Sequence, residues 1–262
     1  KPSSAASDVY KRQVKMKPTA DQRERLRHRP KKKSPVMFQT WDDLLFLHWD
    51  VDPDQLQRTL PDGLKVDTFE GKAYLGIIPF YMKNIRPRWF PCVPYISNFL
   101  ECNVRTYVYD EKGNPGVWFY SLDTSRWLAY KIGRSLFSLP YYWAEMKSER
   151  ENRISYSLRR RKEGIEKVTY DYKESLDDTL AESGTLDYFL LERYQLFATN
   201  KSGGLLSCRV HHKPYRYSTC ENKSWASDLF SWNGFEFNSK DASHACVASR
   251  VDVEIFKPQL VA

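Results

Sequence analysis

No uninterrupted apolar run in these 262 residues reaches the roughly 18 to 20 that carry a helix across a bilayer, so helical membrane insertion is not expected. The first residues also lack a basic start, an apolar middle and a small-residue cleavage site. A cytoplasmic protein without a membrane partner is the expectation. Neither GxGxxG nor GxxxxGK[ST] occurs, which removes the usual glycine-rich nucleotide cradles. There is no GxSxG nucleophile elbow, no HExxH and no paired CxxC, so the familiar serine-hydrolase and zinc solutions are absent too. No cofactor is expected. The five cysteines are odd in number and irregularly spaced, and they read as reduced thiols better than as a disulfide framework.

What the chain has in abundance is aromatic side chains, at 15% of residues with 17 Tyr and 8 Trp, a bias toward strands and toward pockets walled by flat amphipathic rings. Its length suits one large β-rich domain with a substantial core. The net charge of +8 is unevenly placed. Residues 1–35 hold 12 Lys or Arg against 3 Asp or Glu, whereas residues 36–262 hold 29 against 30. The excess basicity belongs to the N-terminal stretch, so residues 1–35 are expected to form a flexible basic arm and 36–262 the domain. Such a charge run is usually a solvated arm, and nucleic acid is not the expected partner. The opening KPSSAASDVYKRQ resembles translated adapter sequence; residues 1–15 are expected to be non-native, with Met16 as the natural start.

Within the arm, Thr19 followed by Gln22 predicts a capping box and one short helix ending before Pro30. In the body, TWDDLLFLHWDV reads as a strand, and Asp52 then caps a short helix opened by Pro53. LKVDTF and KAYLGIIPFYM flank Glu70 and Gly71 as a predicted hairpin, followed by a proline-studded loop, IRPRWFPCVPYI. ECNVRTYVY and GVWFYSLD predict a strand pair, and SRWLAYKIGRSLF an amphipathic helix stopped before Pro140. YYWAEMKSE, RISYSLRRR and EKVTYDYKE extend the sheet. A helix from Ser183–Thr185 runs into QLFATN, which pairs with GLLSCRVHHKPY, and a last helix is expected near SWASDLF. ACVASRVDVEIF closes as an alternating strand. Repeated hairpins with single helices between them predict an α+β, β-rich fold with a curved, mostly antiparallel sheet.

Alternation makes the case for a site. Cys102, Val104, Thr106 and Val108 share one face of their strand, while Asn103, Arg105, Tyr107 and Tyr109 share the other. The second set puts a guanidinium among hydrogen-bonding aromatics, which in an enclosed lumen would clamp a carboxylate. The alternatives are a solvent-facing strand or an ion pair of Arg105 with Glu101. His48 shares a face with Phe46 and Asp50, where a hydrogen-bonded structural histidine and a catalytic acid or base are both open. Cys208, His211, His212 and Cys220 look at first like metal ligands. In a strand, however, Cys208 and His212 face one way and His211 the other, and His244 and Cys246 would need tertiary folding to join them; no metal site is expected.

The segment GRSLFSLPYYWAEM, from Gly133 to Met146, resembles the acetoacetate decarboxylase segment in which a Gly-Arg pair is followed by proline and two lysines. Tyr141 and Tyr142 stand where those lysines would be. The runs TWDDLLFLHW, LPDGLKVDTFEGKAYLGIIPF, ECNVRTYV, GVWFYSLD and LPYY, in that order, resemble the YqjF-like family of uncharacterised bacterial proteins in the acetoacetate decarboxylase-like superfamily. The resemblance implies a cone-like, β-barrel-containing fold around a small-molecule pocket. It brings no settled activity, and it departs from the decarboxylase where a lysine would form the imine. If 141 and 142 lie on a strand, one tyrosine reaches the pocket. The expected ligand is a small keto acid or other carboxylate, bound by Arg105, Asn103, Tyr141 and Tyr142, with His48 and Glu101 as candidates for proton transfer. A non-catalytic binding protein is the alternative, and a homo-oligomer is left open.

Overall fold

A computed structural model describes residues 17–162, 165–175, 177–236 and 241–261. The reading of residues 1–15 as non-native, with a start at Met16, lies outside these. Helix α1 (Ala20–Arg27) carries the expected capping box, in which Thr19 and Gln22 bond each other's backbone. It is no free arm. Arg23 grips Asp67 with both carboxylate oxygens at 2.9 and 2.8 Å, Leu26 is buried, Arg209 donates to the Leu26 carbonyl, and Arg29 pairs with Glu254 at 2.6 Å. The flexible-arm expectation is therefore corrected over residues 19–29. Their charges read as solvated along the sequence, but their partners lie far along the chain.

The body threads strands β1 (Met37–Asp42), β2 (Leu44–Val51), β3 (Leu64–Val66), β4 (Ala73–Pro87), β5 (Phe99–Asp110) and β6 (Pro115–Thr124). TWDDLLFLHWDV, expected as one strand, is split at Asp43, a buried residue in the left-handed region (φ 48°) that pairs with Arg150 at 2.7 Å. Asp52 caps helix α2 (Pro53–Gln57) by accepting from the Gln55 amide at 2.8 Å. The predicted hairpin about Glu70 and Gly71 shrinks to a single bridge between Phe69 and Lys72, with both turn residues at positive φ. β3 pairs instead with β5, and β4 runs on to Pro87, through the first part of the stretch expected as loop.

Helix α3 (Trp127–Leu136) leads into β7 (Tyr141–Arg150), β8 (Ile154–Arg160) and β9 (Val168–Glu174). After β10 (Thr179–Leu180), Thr185 caps helix α4 (Leu186–Leu191), and β11 (Gln195–Thr199) and β12 (Leu205–His211) form the expected hairpin. β13 (Arg216–Trp225) was not predicted, because YSTCENKSW is polar and lacks a clean period. Helix α5 (Asp228–Ser231) follows, and then β14 (His244–Ala248), β15 (Val251–Ile255) and β16 (Gln259–Leu260). The predicted closing strand is thus two strands, which pair with β2 and β1 respectively.

Two closed rings of paired strands share β4, β5 and β6. One passes through β1, β15, β12 and β11, and the other through β2, β14, β13, β9, β8 and β7. Among the described residues all pairings are antiparallel except β6 with β7 and β6 with β11. The shared sheet therefore has two interior faces. The face carrying Cys102 and Val104 is packed solid with Leu45, Leu47, Trp49, Tyr156, Tyr170 and Tyr172. Burying each large apolar side chain of this kind contributes roughly 1.5–3 kcal/mol, so this half holds much of the apolar stabilisation of the scaffold. The face carrying Glu101, Asn103 and Arg105 is left partly open.

Candidate functional site

The opening is a cavity of about 260 Å³ inside the first ring, closed on one side by α3. Its walls are apolar, including Met37, Ile78, Phe80, Phe99, Phe119 and Ile132. Into this lining project Glu101, Asn103, Arg105 and Tyr141, four of the residues picked from the sequence, together with Gln39 and Tyr215, which were not. The signal for Gln39 was available: Met37, Gln39 and Trp41 alternate along β1 and all line the cavity.

Arg105 is buried, and among the described residues it forms no ion pair. The expected alternatives, a solvent-facing strand or an ion pair with Glu101, are therefore not what the fold builds. One guanidinium nitrogen donates to the Tyr107 hydroxyl at 3.2 Å, and the group lies 5.1 Å from the Phe46 ring centre and 5.5 Å from that of Tyr107. Aromatic faces stabilise a cation by about 0.5–2 kcal/mol each, less than burial of a charge costs. Arg105 Nε and Asn103 Oδ1 are both buried without a hydrogen-bond partner among the described residues. An orphan donor and an orphan acceptor, two residues apart on one strand face, are an unusual pair for a closed interior.

Tyr141 reaches the cavity because Gly133 lets it. A Cβ at Gly133 would stand 2.3 Å from the Tyr141 ring, so the Gly-Arg and Pro-Tyr-Tyr parts of the segment are coupled by one contact. The Tyr141 hydroxyl donates to Glu101 Oε2 at 3.0 Å. Burial raises the Glu101 carboxyl to about 8, with Asp123 adding to the rise and the Tyr141 hydrogen bond opposing it. Glu101 is thus a neutral acid near neutral pH, able to give up a proton inside an apolar cavity.

Two predicted site residues lie elsewhere. Tyr142 points to the other side of β7, half exposed beneath the Arg160 guanidinium at 4.1 Å, and does not line the cavity. A strand can send only one of two successive side chains to the same face. His48 is wholly buried but sits behind the lining, between the Tyr107 hydroxyl at 2.6 Å and His244 at 3.0 Å. The Cys and His residues weighed as metal ligands are dispersed: Cys208 donates to the Phe256 carbonyl, and His212 is sandwiched by Tyr194 and Tyr215. Among the described residues no helix is long and apolar enough to cross a membrane.

The overall fold matches that of acetoacetate decarboxylase-like enzymes. Acetoacetate decarboxylase from Legionella pneumophila superposes with a TM-score of 0.58 at 14% identity, over 88% of each chain. The enduracididine biosynthesis enzyme MppR, solved in complex with pyruvate, gives 0.57 at 13% identity, over 88% of this chain and 92% of its own. Within that fold class the chain belongs to the DUF2071 family, described as uncharacterized conserved proteins, which it matches over residues 38–252. It is 38% identical to the uncharacterized protein YqjF of Bacillus subtilis across 207 residues, covering 79% of this chain and 85% of that one.

Proposed function

We propose that this chain binds a small carboxylate, most simply a keto acid, in the cavity of the first ring, and that Glu101 exchanges a proton with it. The observation that carries the reading is Arg105: a buried guanidinium with no carboxylate partner among the described residues and an unused Nε, set in an apolar cavity. A ligand carboxylate supplies the missing counter-charge in bidentate geometry. Asn103 Oδ1 accepts from a ligand hydroxyl or from the enol of a keto acid. The Glu101 acid, held by Tyr141, donates to or accepts from the carbon or oxygen that the anchored substrate presents.

No lysine lines the cavity among the described residues, so the imine route of a decarboxylase has no amine to start from. The chemistry left to these groups is proton transfer at a carbon next to a carbonyl, that is, enolisation. Pyruvate in the related fold of MppR supports the ligand class and nothing finer. The test is a thermal-shift screen of keto acids and simple carboxylates on the full chain, followed by solvent-deuterium exchange on whatever binds. Exchange lost in Glu101→Gln with binding retained supports catalysis. Binding without exchange in the unaltered chain makes this a carrier or sensor, and no carboxylate binding removes the reading.

A further inference from the structure

Behind the cavity, five side chains form an unbroken series. Arg105 donates to the Tyr107 hydroxyl at 3.2 Å, that hydroxyl lies 2.6 Å from His48 Nε2, His48 Nδ1 lies 3.0 Å from His244 Nδ1, and His244 Nε2 lies 2.8 Å from Asp187 Oδ1. The series begins at the cavity wall, passes through two wholly buried residues and ends on helix α4 at a side chain 32% exposed.

The two ends fix its direction. A guanidinium has no acceptor and an ionised carboxylate has no donor. The Tyr107 oxygen therefore accepts from Arg105 and offers its own hydrogen to His48 Nε2. His48 in turn carries its hydrogen on Nδ1 for His244, and His244 carries its hydrogen on Nε2 for Asp187. With both imidazoles neutral, every donor in the series meets an acceptor. One more proton enters at His48 Nε2, or at His244 Nδ1 with the His48 hydrogen moving across to Nε2. Either way His48 Nε2 comes to carry a hydrogen that points at Tyr107, whose hydroxyl hydrogen has to turn away. Loading the histidine pair thus reverses the bond between Tyr107 and His48, which ends on the oxygen that Arg105 holds.

We propose that this series couples the charge at Arg105 to protonation of the His48–His244 pair, so that an anion held by Arg105 is taken up together with a proton. The anion clause rests on the reading of Arg105 as a carboxylate anchor; the coupling rests on the hydrogen bonds alone. Burial, His244 and Arg105 together hold the His48 imidazole well below the usual histidine range, and an anion on Arg105 offsets the last of these. At the outer end, the hydrogen bond from His244 holds the Asp187 carboxyl low, so it stays an acceptor. The other groups facing the pair are Arg193 across the Tyr107 ring, Tyr217 beside Asp187, and the buried Cys246 thiol, which is pushed up and stays neutral. Asp50, further along β2, is engaged by Lys72. Gly76 leaves the imidazole its place, since a Cβ there would stand 3.0 Å from His48 Cδ2.

Nitrogen-15 imidazole spectra of the full chain test this directly, because the chain has only five histidines to assign. The expected result is His48 with its hydrogen on Nδ1 and His244 with its hydrogen on Nε2 when both are neutral. The titration midpoint of the pair should rise by about one pH unit or more in Arg105→Met and fall by a similar amount in Asp187→Asn. Asp187 lies at the surface, so the second variant stays informative if the first fails to fold. Pyruvate should raise the midpoint in the unaltered chain and leave Arg105→Met unmoved. Equal midpoints in the unaltered chain and the folded variants, or neutral His48 carrying its hydrogen on Nε2, would overturn the proposal. Variant shifts without a pyruvate effect uphold the coupling and count against the carboxylate reading of the cavity.

Discussion

Replacing Glu101 by glutamine should stabilise this protein in alkaline solution and leave its relative stability in acid unchanged. The folded-state carboxyl sits at about 8, above its ordinary 4.5, chiefly because it is buried. Between those values the folded chain keeps a proton that the unfolded chain has lost, so stability falls as pH rises through the window. Above it, the folded chain must hold a buried carboxylate. At 1.36 kcal/mol per pH unit the whole window corresponds to a ceiling of about 4–5 kcal/mol. Cavity water and relaxation bring the expected effect to about 2–3 kcal/mol. Glutamine keeps the shape, does not titrate and still accepts the Tyr141 hydrogen bond. Asp43, raised to about 6 by burial, adds a slope of the same sign below that pH, but it does so in both proteins and cancels in the comparison. The assay is urea unfolding of both proteins at about pH 5 and about pH 9, with Glu101→Gln gaining on the unaltered chain as pH rises. A difference constant to within about 0.5 kcal/mol would refute the assignment of Glu101 as a buried neutral acid.

Three other substitutions probe the scaffold around the site. Gly133→Ala drives a Cβ into the Tyr141 ring and should cost about 1–3 kcal/mol, read as a lowered Tm, while weakening the Glu101 contact. Arg160→Leu strands Asp123, now held by two hydrogen bonds of 2.6 and 2.8 Å in a fully buried pair, and should cost about 3–5 kcal/mol in denaturant unfolding. The double variant with Asp123→Leu should recover most of that loss. Arg23→Ala leaves Asp67 with Arg193 alone, and about 1.5–3 kcal/mol of charge-assisted bonding is lost from the seat of α1. Limited proteolysis should then cut within residues 20–30 well before the body is attacked.

The parts of this fold that were legible in the sequence are those whose signal is local. The caps at Thr19 and Asp52 each depend on residues within three positions and are found where the sequence placed them, and the helix read as starting at Ser183–Thr185 begins at Leu186 with Thr185 as its cap. The two-residue period of β5 put Asn103 and Arg105 on one face and Cys102 and Val104 on the other, and the cavity and the solid core divide along that line. Hairpin partners were legible for β5 with β6, β7 with β8 and β11 with β12, but pairings between distant strands were not. Nothing in LKV says that it will bond β5 in preference to the neighbouring β4, and the polar YSTCENKSW gives no period by which to read β13. The choice between Tyr141 and Tyr142 turned on a contact with Gly133 eight residues earlier. The link of His48 to Tyr107 and to His244 spans 59 and 196 residues, beyond any pattern a single sequence displays. The docking of α1 was hidden for the same reason: Arg23 finds Asp67 only through the fold.

The central claim is that Arg105 is a cation waiting for a ligand carboxylate, and calorimetric titration of keto acids into the unaltered chain and into Arg105→Met tests it most directly. The account predicts binding to the unaltered chain that weakens at least about tenfold in the variant, in keeping with the about 1.5–3 kcal/mol of a charge-assisted hydrogen bond, with the melting temperature of the ligand-free variant held or raised. Equal affinity in both proteins would contradict it.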